Sequence, residues 1–167
     1  MNQIEPSENK IKELISLFDK KKFDQLLKLS NELIDEFPNS ILIQNIQGVV
    51  HTELKNYKLA KNLFIKVVNL SPNYTDGHYN LANVYNKLDE KEKAIESYNK
   101  VIELDINYFK AHNNLGNIYR KKGLNKRAIE YYLSTLEINS NYKVAYYNLG
   151  GALQFYKINE ENKKINK

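Results

Sequence analysis

Residues 79–105 read YNLANVYNKLDEKEKAIESYNKVIELD, and residues 113–139 read NNLGNIYRKKGLNKRAIEYYLSTLEIN, 34 positions later. The same pattern begins 34 positions earlier, as NIQGVVHTELKNYKLAKNLFIKVVNLS at 45–71, and returns as YNLGGALQFYK at 147–157. A fixed period of roughly 20–50 residues is the sequence signature of a repeat architecture. We therefore divide the chain into units 41–74, 75–108 and 109–142, followed by a half-unit that begins at residue 143.

Each unit has the pattern of two amphipathic helices joined by a short polar corner. Apolar residues recur at helical spacing, as at Leu81 and Tyr85 in the first segment and at Ala94 and Tyr98 in the second. Gly123 occupies one corner, where a glycine can adopt the left-handed conformation that ends a helix. The pattern predicts an all-α chain of helical hairpins.

Small residues recur at two positions of the frame. A small side chain on both helices of a hairpin lets their axes approach closely. The eighth position of the frame holds Gly48, Ala82, Gly116 and Gly150, and the twentieth holds Ala60, Ala94 and Ala128.

This pattern resembles the tetratricopeptide repeat (TPR) family over residues 41–156. The resemblance implies a right-handed superhelical solenoid of antiparallel helix pairs, in which the first helix of each unit lines a concave face. The fourth position, often Trp in the family, departs from the pattern. The residues that match are the pairs Leu81-Ala82, Leu115-Gly116 and Leu149-Gly150, together with Tyr85, Tyr119, Ala60, Ala94, Ala128, Phe64, Tyr98, Tyr132 and Pro72; the fourth position holds Gln44, His78, His112 and Tyr146.

The two ends of the chain depart from the repeat. Residues 7–40 fit the frame but carry Leu14, Leu26 and Leu33 where the other units have smaller or different side chains, so they are a divergent first repeat or a capping helical hairpin. We predict a disordered N-terminus at 1–6, a C-terminal capping helix at 143–157 and a frayed polar tail at 158–167.

The resemblance places the ligand-facing residues on the first helix of each unit. Asparagine recurs there, and an amide offers two donors and an acceptor that suit the backbone of a bound peptide. Tyrosine adds rigid contact area, and Leu42, Ile46 and Val49 make the N-terminal part of the face more apolar. The predicted peptide-binding groove consists of Asn45, Ile46, Val49, Tyr79, Asn80, Asn83, Asn113, Asn114, Asn117, Tyr147 and Asn148.

This ladder of asparagines has two interpretations. Asparagine is abundant throughout the chain, so the ladder can be a matter of composition. It is also similar to the repeat domain of O-linked N-acetylglucosamine transferase-like proteins, in which such amides hold the backbone of protein substrates. That resemblance is confined to the repeats and does not extend to a transferase catalytic domain.

A second subgroup of the family grips the C-terminal carboxylate of heat-shock chaperones with a set of lysine, arginine and asparagine side chains. At the corresponding positions of units 41–142 this chain offers Asn45, Val49, Asn80, Lys110 and Asn114, and one unit later it offers Tyr79, Asn83, Asn114, Val144 and Asn148. Too few of these side chains are cationic to hold a carboxylate, so the sequence does not favour that ligand.

No catalytic or metal-binding pattern stands out in the sequence. Cysteine is absent, which excludes disulfides, thiol catalysis and thiolate zinc sites. The three histidines, His51, His78 and His112, have no carboxylate at ligand spacing, and packing explains them better than metal binding. We therefore expect neither enzymatic activity nor a cofactor nor a metal.

Charge and hydropathy limit the classes of partner that the chain is expected to bind. The net charge is +5, mostly from lysine, without the aromatic-rich basic pattern of a nucleic-acid binder. No apolar stretch approaches the roughly 20 residues that span a bilayer, and the N-terminus lacks the apolar core of a signal peptide. We expect a cytoplasmic protein that binds neither nucleic acid nor membrane and is a monomer or a weak homo-oligomer.

The sequence predicts a protein–protein interaction scaffold that holds a peptide or partner segment, extended or helical, in its concave groove. The alternative is a substrate-recruiting arm of, or partner to, a glycosyltransferase, sulfotransferase or methyltransferase, because similar repeats often precede such domains.

Overall fold

The computed structural model describes the backbone of residues 5–165 and the side chains of residues 5–158. Within residues 5–165 the chain forms nine α-helices and no β-strand. The helices are α1 (Glu8–Asp19), α2 (Phe23–Glu36), α3 (Ile41–Glu53), α4 (Tyr57–Leu70), α5 (Thr75–Lys87), α6 (Lys91–Leu104), α7 (Phe109–Lys121), α8 (Asn125–Ile138) and α9 (Lys143–Ile165). The helices α2, α4, α6 and α8 all begin at the same position of the repeat frame, as the sequence predicts.

The described chain divides into two compact units, with the boundary after Glu90. In the first unit, α2 packs against α1 and α3, and α4 packs against α3 and α5. In the second unit, α7 packs against α6 and α8, and α8 packs against α9. First helices of successive repeats also meet, α3 with α5 and α7 with α9. The predicted fold class, an all-α solenoid of antiparallel helix pairs, is confirmed.

Four corners between paired helices share one backbone geometry. The second residue after each first helix is left-handed, with φ of 54° at Lys21, 61° at Lys55, 61° at Asp89 and 75° at Gly123. At each corner the next N–H donates back to a carbonyl five residues earlier, as from Leu124 to Tyr119 at 2.9 Å. This is the Schellman arrangement that satisfies the last carbonyls of a helix. Residues 7–40 therefore follow the corner geometry of the later repeats.

A ring-on-glycine contact joins two of the helix pairs, α3 with α4 and α7 with α8. A Cβ added at Gly48 would lie 2.6 Å from the ring of Phe64, and one added at Gly116 would lie 2.5 Å from the ring of Tyr132. Both rings are buried. Gly150 differs, because an added Cβ would find nothing within 4 Å. The close helix contact that the small column predicts is therefore made at Gly48 and Gly116 and not at Gly150.

The first hairpin packs with leucines instead. Leu14, Leu26 and Leu33 occupy the positions where later repeats have smaller or different side chains, and all three are buried in one cluster with Ile43 and Val50. Bulky side chains on both helices replace the ring-on-glycine contact, which explains the divergent sequence of residues 7–40.

At both chain ends the ordered structure extends beyond the predicted boundaries. Glu5 accepts hydrogen bonds from the Ser40 hydroxyl and, at 2.9 Å, from the Ile41 N–H, and Pro6 is buried, so these residues of the predicted disordered N-terminus are ordered. A carboxylate here stabilises the exposed N–H groups at the start of α3. Residues 1–4 lie outside the described residues.

At the other end, the capping helix predicted at 143–157 continues to Ile165, through most of the tail predicted to fray. The segment 158–165 is rich in glutamate, lysine and asparagine, and glutamate and lysine have a high helix propensity, which a search for a packing face overlooks. Residues 166–167 lie outside the described residues.

Replacing Gly116 by alanine should lower the free energy of unfolding by about 1–2 kcal/mol, because the new methyl group overlaps the buried ring of Tyr132. Gly150→Ala is the matched control, and it should raise the free energy of unfolding by about 0.5–1 kcal/mol, because only the helix propensity changes. Urea unfolding followed by circular dichroism measures both. A change of the same sign in the two variants would contradict the ring-on-glycine contact.

The left-handed residues at the corners predict a second pair of opposite effects on the free energy of unfolding. Gly123→Ala should lower the free energy of unfolding by about 1 kcal/mol, because its Cβ has open space and only the positive φ is strained. Lys55→Gly should raise it by about 0.5–1 kcal/mol, because glycine relieves that strain. Thermal unfolding of the two variants checks this, and an unchanged Gly123→Ala protein would show that the corner carries no strain.

Candidate functional site

The fourth position of the repeat has a structural role. The Gln44 Nε2 donates to the carbonyl of Pro38 at 2.9 Å, the His78 Nε2 lies 2.8 Å from the carbonyl oxygen of Pro72, and the His112 Nε2 lies 3.0 Å from that of Ile106. The side chain thus ties the start of α3, α5 and α7 to the residue six positions earlier. Among the described residues no cluster of three or more histidine, aspartate or glutamate side chains could hold a metal ion. The packing interpretation of His78 and His112 agrees with these contacts.

In the first unit, the predicted asparagines of α3 and α5 pair with each other. Asn80 Nδ2 donates to Asn45 Oδ1 at 3.1 Å, and Asn45 Nδ2 lies 3.5 Å from the hydroxyl of Tyr74. Both amides are partly buried. The pair links two successive first helices, and it leaves part of each amide accessible on the same face.

A small apolar cavity of about 160 Å³ opens beside this amide pair. Ile46 and Val49 of α3 line it together with Ile15 and Phe18 of α1, and Asn45 contributes the polar edge. Ile15 is 48 % exposed at the rim. The sequence predicted the apolar character of α3 here but missed the contribution of α1, whose amphipathic pattern was the available signal.

The second unit repeats the amide link between α7 and α9. Asn148 Nδ2 donates to Asn113 Oδ1 at 3.0 Å, and both side chains are buried, with 7 % and 3 % of their surfaces exposed. A buried amide without its partner costs free energy. The pair joins α7 to α9, and it leaves only a small part of each amide accessible for the ligand contacts that the sequence predicts.

Two further asparagines of α7 contact the buried tyrosines of the neighbouring helices. Asn114 Nδ2 donates to the Tyr98 hydroxyl at 3.1 Å, and the Tyr132 hydroxyl donates to Asn117 Oδ1 at 2.8 Å. Burial raises the pKa of Tyr132, although the nearby Arg120 opposes that shift, so the hydroxyl stays protonated as a donor. Asn114 and Asn117 remain partly exposed.

The remaining predicted site residues differ in accessibility. Tyr147 on α9 is 81 % exposed. Tyr79 and Asn83 on α5 are partly buried, and each interacts with other groups of the protein. Arg120 was missed by the sequence analysis, although it occupies the twelfth position of the frame, which faces the groove by resemblance. Its Nη1 lies 3.3 Å from where a Cβ of Gly151 would be, which places a cation between α7 and α9.

The charged residues at 109–121 and 143–158, the described side chains of α7 and α9, all have one sign. The described side chains of α7 and α9, residues 109–121 and 143–158, include no aspartate or glutamate. Their basic residues are Lys110, Arg120, Lys121, Lys143 and Lys157. The face of α7 and α9 is therefore suited to a neutral or acidic ligand.

Sequence comparison identifies the repeats directly. The family model for the tetratricopeptide repeat matches residues 75–108 and 109–142, and a second model of the same description matches residues 43–74. Together these matches cover more than half of the chain. The chain belongs to the tetratricopeptide repeat family. The matched TPR units coincide with the predicted units to within two residues.

One curated relative is the Hsp70-Hsp90 organising protein of Plasmodium falciparum (isolate 3D7), which is 31 % identical over 103 residues. The match covers 58 % of this chain and 18 % of the relative, so the chain corresponds to a small part of that protein's length.

Solved TPR structures are similar over most of the chain. MamA superposes with a TM-score of 0.77 at 24 % identity, covering 91 % of this chain and 96 % of that one. YrrB, described as a TPR protein with an unusual peptide-binding site, has a TM-score of 0.75 at 20 % identity, covering 91 % and 78 % of the two chains. These likenesses establish the fold. Among the described residues, no helix has the length and apolar content that crossing a membrane requires.

The buried pair of Asn113 and Asn148 predicts that a substitution in the pair lowers stability and that a substitution of its exposed neighbour does not. Asn148→Ala should lower the free energy of unfolding by about 1–3 kcal/mol, because Asn113 loses its partner inside the protein. Tyr147→Ala on the same helix should change it by no more than about 0.5 kcal/mol, because that side chain is largely in solvent. Urea unfolding measures both, and equal effects would show that the pair is not a structural link.

Proposed function

We propose that this TPR protein binds a segment of a partner protein on the first-helix faces of its repeats, α3 with α5 in the first unit and α7 with α9 in the second. The apolar cavity on the α3 face is the observation that carries the proposal. It is lined by Ile15, Phe18, Ile46 and Val49, has about the volume that holds one branched or aromatic side chain, and lies beside a partly exposed amide pair.

The apolar cavity and the amide pair contact different parts of the ligand. An apolar side chain of the ligand fills the cavity, and the amides of Asn45 and Asn80 contact the ligand backbone with the hydrogen-bonding capacity that their mutual bond leaves. Because the helices are rigid before binding, the protein loses little conformational entropy.

On the second unit, partly exposed Asn114 and Asn117 and the largely accessible Tyr147 supply the corresponding contacts. The basic side chains of α7 and α9 favour a ligand segment that carries acidic residues. Asn113 and Asn148 are excluded from direct ligand contact in this proposal, because they are buried against each other.

The relative that organises Hsp70 and Hsp90 raises chaperone C-terminal tails as a candidate ligand. We do not favour them, because the positions that hold a carboxylate in such proteins carry Asn45, Val49, Asn80, Lys110 and Asn114 here. The alternative function, a substrate-recruiting arm for a transferase, stays a prediction.

A random peptide library displayed on phage tests the proposal with the full chain as bait. Enriched peptides should carry a large apolar residue, and they should lose at least about tenfold in affinity for Ile15→Glu, which places a charge at the rim of the cavity. Tyr147→Ser should weaken peptides that bind the second unit.

Matched controls are Leu59→Glu on α4 and Leu133→Ser on α8, two side chains that are 52 % and 45 % exposed outside the first helices. Both variants should bind as wild type does. The absence of any enriched peptide, or peptides lost only in the control variants, would overturn the proposal.

A further inference from the structure

The helix α9 is built as the first helix of a repeat, and among the described residues no second helix covers it. In the third repeat, the side of α7 that carries His112, Gly116 and Tyr119 meets α8. The equivalent side of α9, one repeat later, carries Tyr146, Gly150 and Leu153. We name these three residues the acceptor face.

The acceptor face is open at its centre. At Gly116, an added Cβ would lie 2.5 Å from the ring of Tyr132, whereas at Gly150 nothing lies within 4 Å. The glycine at this point keeps a space that no described side chain of the protein fills.

The flanks of the acceptor face are apolar and exposed. Tyr146 is 54 % exposed and Leu153 is 47 % exposed. Their counterparts on α7 pack against Tyr131 of α8, with ring centroids 6.2 Å apart for His112 and 5.4 Å apart for Tyr119, which stacks in parallel. The acceptor face thus continues the α7–α8 packing surface by one repeat, and no second helix among the described residues packs on it.

We propose that the acceptor face binds an amphipathic helix of another protein, which seats a phenylalanine ring on Gly150. The second helices of this chain show the sequence that such a helix needs. Each has alanine four residues before the ring, and three residues after it a valine or threonine. The three examples are Ala60, Phe64 and Val67, then Ala94, Tyr98 and Val101, then Ala128, Tyr132 and Thr135.

Phenylalanine is favoured over tyrosine because of the residue that follows the glycine. The Tyr132 hydroxyl donates to Asn117 at 2.8 Å, next to Gly116. Val49 follows Gly48, and the ring on Gly48 is the phenylalanine Phe64. Gly151 follows Gly150 and offers no side-chain acceptor, so a tyrosine hydroxyl buried there would lack the hydrogen bond that Tyr132 makes.

The occupant is a partner helix rather than a second copy of the chain, because a second copy has no accessible phenylalanine in the required pattern. Phe64 is the one phenylalanine in the sequence that follows an alanine by four residues, and it is only 1 % exposed.

A peptide taken from the chain itself provides the probe. A fluorescein-labelled, amidated peptide of residues 56–71, which contains Ala60, Phe64 and Val67, is titrated with the full chain, and fluorescence anisotropy is recorded. We expect saturable binding, at least about tenfold weaker for the peptide with Phe64→Ala and about tenfold weaker for Phe64→Tyr.

Gly150→Leu in the full chain is the decisive variant. The added side chain points into open space, so the fold is retained, which circular dichroism verifies, but it fills the seat of the ring. Binding of the peptide should fall at least about tenfold, while the exposed-surface control Leu133→Ser on α8 should leave it unchanged.

Three results would overturn the proposal. The first is no binding of the peptide, and the second is binding that Gly150→Leu does not weaken, which would indicate exchange with the chain's own α4. The third is a dimer in sedimentation equilibrium that Gly150→Leu dissociates, which would make a second copy the occupant. Because none of these measurements uses the face of α3 and α5, they leave the binding proposed for that face untouched.

Discussion

A buried aromatic ring lies against a helix backbone that has no side chain at the point of contact, and the geometry of the repeats depends on this contact. The ring of Phe64 occupies the space at Gly48, and that of Tyr132 the space at Gly116. In both pairs the ring follows the glycine at the same separation along the chain. An insertion in the corner would move the ring off the glycine, so the length of each hairpin is constrained by packing. The strict period of the sequence follows from repeating this constraint.

Hydrogen bonds of polar side chains also link the helices of the repeats to each other and to the turns. Gln44, His78 and His112 make equivalent hydrogen bonds in successive repeats. An amide and an imidazole can both direct an N–H at the carbonyl six residues earlier. The amide pairs, Asn45 with Asn80 and Asn113 with Asn148, join successive first helices. Asparagine on these helices is therefore first a structural link, and a ligand can use only the part of each amide that remains accessible.

The sequence was sufficient for the helices, the positions of the corners and the close approach of paired helices at Gly48 and Gly116, because a fixed period and helical spacing encode which side chains are buried. It was insufficient for the asparagines, because whether an amide faces a ligand or a neighbouring amide depends on the distance between two helices of different repeats. The cavity at Ile46 is lined in part by side chains of α1, and the repeat frame does not predict where those side chains lie. The extension of α9 to Ile165 runs through a segment whose glutamates and lysines have a high helix propensity, and a search for apolar faces does not detect it.

The four described corners share one backbone geometry but differ in conformational free energy. Glycine adopts the left-handed conformation freely, whereas lysine and aspartate do not. The turn at Gly123 can therefore close early, while the chain is still largely unfolded, and the turns at Lys21, Lys55 and Asp89 need packing to hold them. Contacts between α7 and α8 are also local in sequence, which favours rapid formation. We therefore expect the repeats to assemble from the α7–α8 hairpin outward.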